Sequence, residues 1–322
     1  MTLTRVFCHL LSDFSRILYI TTHPLDVVNK GLEWWVFQNY RCFYFVLFLL
    51  IRNFAAMKQA MILAAGLGTR LKPLTDTMPK ALVPVGGTPL LDLNIRRLQQ
   101  AGYDRFVVNI HHFAQQIINH VSLQDYAPMV HFSDETAQLL ETGGGLKKAA
   151  PLFHDDEPVL IHNVDILDNV DYQWLRRQHQ PDEDAVLLVS RRKTKRYLLF
   201  DTAMRLMGWT NIETGEVKSP FPWLRESQFT IDEQLRVVAE PDSPLTSHLS
   251  PLHAFAFSGI HSFSPGLFPL MERFPERFSI IDFYLSVCHR SQIVGLVKDD
   301  LRILDVGKLD SLEQAETFIK QI

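Results

Sequence analysis

From residue 57 onward, short runs rich in β-branched residues alternate with stretches that repeat at the helical period. The predicted strands are residues 59–65, 105–110, 129–133, 158–165, 185–190, 253–263 and 292–298. After the first strand, Leu91, Ile95 and Leu98 share one helix face, and the helix ends at Gly102. This alternation predicts an α/β fold in which helices cover both faces of a mostly parallel sheet. Ligands bind such sheets at the carboxyl ends of the strands, so the residues that follow strands deserve the closest inspection.

Residues 191–250 interrupt the alternation. Residues 197–209 alternate like a β-hairpin, whereas residues 211–223 and 239–251 are rich in turn-forming residues and predict exposed loops. The basic run at residues 191–196 is either a phosphate contact or a solvated loop, and the solvated loop is favoured. We therefore predict one domain over residues 57–322 with an insertion at about 191–250.

Residues 1–56 differ from the rest of the chain because they are crowded with aromatic residues and end just before that domain. Their uninterrupted apolar run, residues 42–51, has ten residues. A bilayer-spanning helix needs about 20. Two alternatives stay open: an extension that associates weakly with a membrane through residues 34–51, or upstream sequence ahead of a natural start at Met57. The second is favoured because a complete domain opens at Met57.

Composition excludes some partners. The net charge is -4 and the pI is about 6.3, so no global field attracts nucleic acid, and no nucleic-acid partner is expected. Cys8, Cys42 and Cys288 lie far apart without a CxxC pair, which favours neither a zinc site nor a disulfide framework. A reducing, cytoplasmic location and a monomer or small homo-oligomer are expected.

The segment LAAGLGTRLKPLT, residues 63–75, is a glycine-rich turn with basic side chains directly after the first strand. Backbone amides in such a turn form a concave site for phosphate. Two common phosphate motifs do not fit: Thr69 and Arg70 follow Gly68 where a P-loop has Lys and Ser or Thr, and Leu71 replaces the third glycine of the dinucleotide fingerprint. A turn that serves only packing leaves the basic side chains unexplained.

The longer string, residues 62–91, resembles the signature of the sugar-1-phosphate nucleotidyltransferases, LAAG-x-GTRL-x-PLT-x3-PK-x-L-x-PV-x3-P. The resemblance covers residues 57–190 and 253–322. It implies a Rossmann-like three-layer α/β/α domain with a mostly parallel mixed sheet. It also implies a Mg²⁺-dependent enzyme whose substrates are a nucleoside triphosphate and a sugar 1-phosphate.

The resemblance also implies roles for individual residues. Those expected to bind the nucleotide are Leu63, Ala64, Ala65, Gly66, Gly68, Thr69, Arg70, Gly144 and Asn163. Arg70, Lys80 and Asp165 are expected to be catalytic, and Asp165 and Asp305 to hold Mg²⁺. The residues expected to contact the sugar are Glu141, Asn163 and Gly259.

The chemistry explains these residue types. An oxygen of the sugar phosphate attacks the α-phosphate and expels pyrophosphate, so two polyanions must be held together while charge moves to the leaving group. Arginine supplies a planar fork and lysine a mobile point charge. Two carboxylates with phosphate and water oxygens make the octahedral site that Mg²⁺ prefers.

Two positions depart from the family pattern: Val164 replaces a glycine, which is expected to narrow the site or shift the backbone, and Lys308 replaces a threonine. Ala65 and the ETGGG segment, residues 141–145, most resemble the subgroup that uses UTP and N-acetylmuramate 1-phosphate. The three glycines are interpreted as a close approach to a base, with a plain loop-to-helix junction as the alternative. Guanylyl transfer to mannose or heptose phosphate, cytidylyl transfer to choline phosphate, and an inactive nucleotide-sugar-binding protein stay open.

Overall fold

The structure is a computed structural model, and it describes residues 57–241, 243–247 and 251–321. Residues Met57–Ile322 form one compact unit, and every described residue belongs to it. The predictions for residues 1–56, including a membrane association through 34–51, lie outside the described residues. In the described part of the chain, no helix is both long enough and apolar enough to cross a membrane.

Strands and helices alternate through most of the described ranges. The strands are β1 (Gln59–Leu63), β2 (Pro84–Val85), β3 (Thr88–Pro89), β4 (Arg105–Ile110), β5 (Val130–Asp134), β6 (Val159–Asn163), β7 (Ile166–Asp168), β8 (Ala185–Ser190), β9 (Arg196–Phe200), β10 (Leu206–Asn211), β11 (Glu216–Lys218), β12 (Phe229–Ile231), β13 (Val237–Ala239), β14 (His253–Phe263), β15 (Ile293–Val297) and β16 (Ile303–Asp305). The α-helices are α1 (Leu90–Gln100), α2 (Ala114–Ser122), α3 (Glu141–Ala149), α4 (Tyr172–Gln178), α5 (Pro222–Arg225), α6 (Phe268–Met271), α7 (Ile280–Val287) and α8 (Leu312–Ile319).

A ten-stranded mixed sheet forms the centre of the unit. Strands β6, β1, β4 and β5 lie side by side and are parallel. Strand β14 pairs antiparallel with β6, β8 and β9, and the antiparallel ribbon β9–β10–β11 extends the sheet to one edge. The predicted parallel sheet is thus confirmed for its core, and the remaining strands make the whole sheet mixed.

The alternation of side chains along β1 separates two apolar layers. Met61 packs in one layer with Leu146 of α3. Ile62 faces the other layer, with Ile95 of α1 and Ile117 of α2. Successive strand side chains point to opposite faces, so helices cover both sides of the sheet, and the predicted three-layer α/β/α arrangement is confirmed.

Residues 191–250 are more regular than expected. The predicted hairpin is confirmed, because β9 and β10 pair antiparallel with Phe200 opposite Leu206. The loop predicted at 211–223 is wrong, since it contains strand β11 and helix α5. Both elements are too short to show a period, and β11 is held by its pairing with β10.

Candidate active site

Three parallel strands end together at the edge of the sheet where the glycine-rich turn begins. In the register of the sheet, Leu63 at the end of β1 lies between Asn109 of β4 and Asn163 of β6. The turn that follows Leu63 and the residues that follow Asn163 therefore start from neighbouring positions. This is the edge at which parallel α/β sheets bind ligands.

The glycine-rich turn is held by contacts within the protein. Gly68 adopts φ +63°, and a Cβ there would lie 2.8 Å from Thr75 Cγ2. The Thr75 hydroxyl donates a hydrogen bond to the Gly68 carbonyl at 2.8 Å. Gly66, by contrast, has no atom within 4 Å of its Cβ position. Gly68 is therefore required by the turn itself, and Gly66 leaves open space in front of its backbone.

Asn109 binds the start of this turn. Its Oδ1 accepts hydrogen bonds from the amides of Ala64 and Ala65, at 2.6 and 3.3 Å. Those two amides are engaged within the protein, so the predicted phosphate contacts rest on the residues that follow them. A nucleotide contact of Leu63, Ala64 or Ala65 stays a prediction.

Lys80 and Asp165 form an ion pair beside the turn. Lys80 opens a short 3-10 turn, Lys80–Leu82, and Asp165 lies between β6 and β7. Their side chains are only 12% and 14% exposed. Two charges removed from water in this way hold each other strongly. The structure thus brings together two residues that the sequence signature singles out.

Arg70 and Asp305 form a second, more open pair, with Nη2 and Oδ2 3.7 Å apart and both side chains about half exposed. The Gly307 amide donates a hydrogen bond to Asp305 Oδ1 at 2.7 Å. A Cβ on Gly307 would lie 2.6 Å from Arg70 Nη2, so the absence of a side chain makes room for the guanidinium group.

The two predicted metal-binding carboxylates lie at paired strands, Asp305 at the end of β16 and Asp165 directly before β7. In the antiparallel pair β7–β16, Asp305 is opposite Ile166, which follows Asp165 directly. The Val306 amide also donates to the Asp165 carbonyl at 2.8 Å. Across the described residues, no three or more His, Cys, Asp or Glu side chains gather into a metal site. Two carboxylates completed by phosphate and water oxygens match the way Mg²⁺ is commonly bound, so the donor set fits that ion.

Asn163 and Gly259 are also brought together. Gly259 lies in β14 with φ +81°, and a Cβ on it would come 2.7 Å from Asn163 Nδ2. Only a residue without a side chain leaves space for the Asn163 amide in this position. Their predicted contacts with nucleotide or sugar stay predictions.

Val164 does not face the site. Its side chain is 2% exposed and packs in the apolar layer of α1. Its amide donates to Leu63 and its carbonyl accepts from Asn94. The expectation that Val164 narrows the site is therefore wrong, because the turn after β6 directs this side chain into the apolar layer of α1. Lys308 is exposed beside a short turn.

The glycines of the ETGGG segment lie inside α3, not in a loop before a helix. All three are buried. A Cβ on Gly144 would lie 2.0 Å from the Glu276 carbonyl oxygen, and one on Gly143 would lie 2.4 Å from the Phe278 ring. Close packing against residues 276–280 explains Gly143 and Gly144, and a Cβ on Gly145 would lie 2.6 Å from Glu135 Oε1. Packing therefore gives no support to the predicted contact of Gly144 with a base. Glu141 forms a 2.8 Å ion pair with Arg277.

Glu135 was not identified from the sequence. It is fully buried, and its carboxylate accepts hydrogen bonds from Asn109 Nδ2 at 2.7 Å and from the Leu140 amide at 3.0 Å. One carboxylate therefore connects the glycine-rich turn, through Asn109, with the residue that precedes α3. The available signal was position, since Asn109 and Glu135 both stand at the carboxyl ends of predicted strands.

A second buried group lies beneath β6 and β7. His162 Nε2 lies 3.0 Å from Asp168 Oδ2, the Tyr172 hydroxyl donates to the same oxygen at 2.9 Å, and Arg97 donates to Oδ1 at 3.3 Å. Burial raises the pKa of Asp168, but the hydrogen bond and charge of His162 and the charge of Arg97 outweigh it and lower that pKa to about 2.

A cleft of about 490 Å³ opens beside Phe257, between the ribbon β9–β11 and the start of α7. We call it the basic cleft; the lining residues used below are Arg192, Arg196, Trp209, Lys218, Phe257 and Asp282. Two of these residues come from the basic run at 191–196. The sequence analysis favoured a solvated loop for that run and did not predict this cleft.

The parallel core, the glycine-rich turn and the two cation–carboxylate pairs define an α/β protein with a candidate ligand site at the carboxyl ends of its parallel strands. A family model described as nucleotidyl transferase matches residues 59–198 of the chain. A solved UDP-glucose pyrophosphorylase bound to UDP-glucose shares the fold, with a TM-score of 0.59, 14% identity, and coverage of 82% of this chain and 99% of that one.

Two curated relatives are N-acetylmuramate alpha-1-phosphate uridylyltransferases. The protein from Caulobacter vibrioides is 47% identical over 34% of this chain and 46% of its own length. The protein from Neisseria meningitidis serogroup B is 43% identical over 40% of this chain and 64% of its own length. The chain thus spans from about half to under two thirds of the curated relatives it matches.

Proposed function

We propose that this chain joins a nucleoside triphosphate to a sugar 1-phosphate and releases pyrophosphate, with UTP and N-acetylmuramate 1-phosphate as the substrates. The observation that carries the proposal is the pairing of Lys80 with Asp165, and of Arg70 with Asp305, at the edge where the glycine-rich turn leaves β1. The substrate pair is taken from the two uridylyltransferase relatives.

The reaction needs cations that neutralise the phosphate charges, and it needs no nucleophilic side chain. A phosphate oxygen of the sugar forms a bond to the α-phosphorus as the bond to the β-phosphate oxygen breaks, and the electron pair leaves with pyrophosphate. Lys80 and Arg70 supply two cations for the triphosphate and the leaving group. When bound by Asp165 and Asp305, Mg²⁺ would neutralise further phosphate charge and help align the reacting oxygens.

The Lys80–Asp165 and Arg70–Asp305 ion pairs separate when substrates bind. Each cation at present neutralises a carboxylate, so a bound triphosphate takes over Lys80 and Arg70 while Asp165 and Asp305 become available as oxygen ligands. The half-exposed Arg70 pair separates more easily than the buried Lys80 pair, because water screens it. Asn163, held against Gly259, then presents an amide to the sugar side of the reacting phosphates.

A pyrophosphate-release screen of the full chain tests this function. UTP, CTP, GTP, ATP and dTTP are each combined with the 1-phosphates of N-acetylmuramate, N-acetylglucosamine, glucose and mannose, in the presence of Mg²⁺. UTP with N-acetylmuramate 1-phosphate is expected to react fastest. A faster different pair overturns the substrate assignment. Nucleotide-sugar binding without turnover of any pair overturns the enzyme assignment and favours a binding protein.

A further inference from the structure

The basic cleft lies on the same face and edge of the sheet as Asn163 and Gly259. Phe257 packs in the same apolar layer as Ile161, and Asn163 follows Ile161 by two residues, so both side chains point to that face. Phe257 also precedes Gly259 by two residues of β14, so the two positions are at most roughly 7 Å apart along the chain. A sugar held at Gly259 therefore has the cleft within the reach of one ring substituent.

Only some of the basic side chains that line the basic cleft form ion pairs with carboxylates. Lys218 Nζ lies 3.0 Å from Asp282 and 3.9 Å from Glu216, and it sits 5.4 Å from the centre of the Trp209 ring. Arg192 and Arg196 are exposed, and among the described residues neither forms an ion pair with a carboxylate. The Arg192 guanidinium donates to the Phe257 carbonyl at 3.3 Å, which aims it along β14.

We propose that Arg192 and Arg196 recognise the carboxylate of an acidic sugar phosphate and determine the preference for it over the neutral sugar. The guanidinium fork matches a carboxylate in shape and charge. Trp209 and Phe257 supply apolar surface for the carbon face of a sugar, as ligand pockets commonly do. This assignment rests on the proposed function, since it names the sugar class taken by the same site.

The test compares two sugars that differ only in the group the arginines are assigned to bind. N-acetylmuramate 1-phosphate carries a lactyl carboxylate that N-acetylglucosamine 1-phosphate lacks. The kcat and KM for both are measured with UTP and Mg²⁺ in the full chain, in Arg192→Gln, in Arg196→Gln and in the double variant. Arg191→Gln is the matched control, because Arg191 is equally exposed and adjacent but pairs with Asp299 at 3.3 Å.

In the double variant, kcat/KM for the acidic sugar is expected to fall by about 10- to 100-fold, mainly through KM, as befits a lost charge-assisted hydrogen bond. The value for the neutral sugar is expected to stay within about twofold, and Arg191→Gln to stay within about twofold for both sugars. Lysine at both positions is expected to restore part of the preference.

Two results would overturn the assignment in distinguishable ways. If the wild type prefers the acidic sugar and the double variant keeps that preference, the proposed function stands and the role of the arginines is wrong. If the wild type turns over neither sugar with UTP, the proposed function fails at this substrate pair, and the assignment fails with it. Thermal unfolding of each variant shows whether the substitutions leave the fold intact.

Discussion

Asp165 and Lys80 are both mostly buried, so neither charge is well solvated and each stabilises the other. The sequence signature pointed to both residues, and the structure places them in contact. The sequence analysis also singled out Arg70 and Asp305, and the structure places these two side chains at the same edge of the sheet. Their roles stay predictions. The prediction that Val164 narrows the site was wrong because a family signature gives the residue type at a position and not the direction of its side chain, which packs in the apolar layer of α1.

Replacing Asp165 by asparagine is expected to lower turnover by at least about 100-fold, because the substitution removes one of the two carboxylates that bind the metal and leaves Lys80 unpaired. Pyrophosphate release measures the effect, and circular dichroism checks the fold. Asp171→Asn is the matched control, since Asp171 caps α4 with its side-chain oxygen and asparagine caps equally well. Near-normal turnover in Asp165→Asn would remove this residue from the site.

Asp168 makes stability depend on pH. With its pKa lowered to about 2 in the folded chain, its ionisation stabilises the fold above the ordinary aspartate pKa near 4, and this contribution is lost as pH falls toward 2. Asp168→Asn is expected to lower the free energy of unfolding near pH 5, and the difference from wild type should shrink by about 1 kcal/mol at pH 3. Urea unfolding at both pH values measures it. A difference that does not shrink would contradict the assigned pKa.

The strands that the sequence predicted best are long, mostly apolar segments. Strands Ala185–Ser190 and His253–Phe263 match their predictions residue for residue. Strand β11 was missed because three residues show no period, and its existence depends on pairing with β10. Helix α3 was misplaced because three glycines disfavour a helix by about 1 kcal/mol each relative to alanine. The contacts of Gly143 and Gly144 with residues 276–280, and of Gly145 with Glu135, are tertiary and cannot be predicted from the sequence.

Alanine substitutions at two glycines test packing and ligand binding separately. Gly144→Ala is expected to destabilise the fold by about 1–3 kcal/mol, because the methyl group meets the Glu276 carbonyl. Gly66→Ala is expected to leave stability within about 0.5 kcal/mol and to raise KM for the triphosphate, since its methyl group enters open space where phosphates are proposed to approach. Urea unfolding and steady-state kinetics measure both. Equal stability of the two variants would refute the packing argument.

At the scale of the whole molecule, the predicted domain from Met57 coincides with the compact unit Met57–Ile322. The chain that begins at Met57 is therefore expected to unfold at the midpoint of the full chain, within about 3 °C, and to keep its specific activity. Calorimetry and pyrophosphate release measure this. A larger fall in the midpoint would show that residues 1–56 stabilise the unit. Vesicle partition of the two chains checks the alternative in which residues 34–51 associate weakly with a membrane.

The assembled molecule brings together four charged side chains from three distant segments of the sequence, by placing the ends of β1, β6 and β16 at one edge of the sheet. The most direct test of the proposed nucleotidyl transfer is ³¹P NMR of the full chain with Mg²⁺, UTP and N-acetylmuramate 1-phosphate. We predict that the triphosphate signals decline while the signals of a nucleotide sugar and of pyrophosphate appear in equal amounts. Release of inorganic phosphate in their place, or unchanged spectra with each of the common triphosphates, would contradict it.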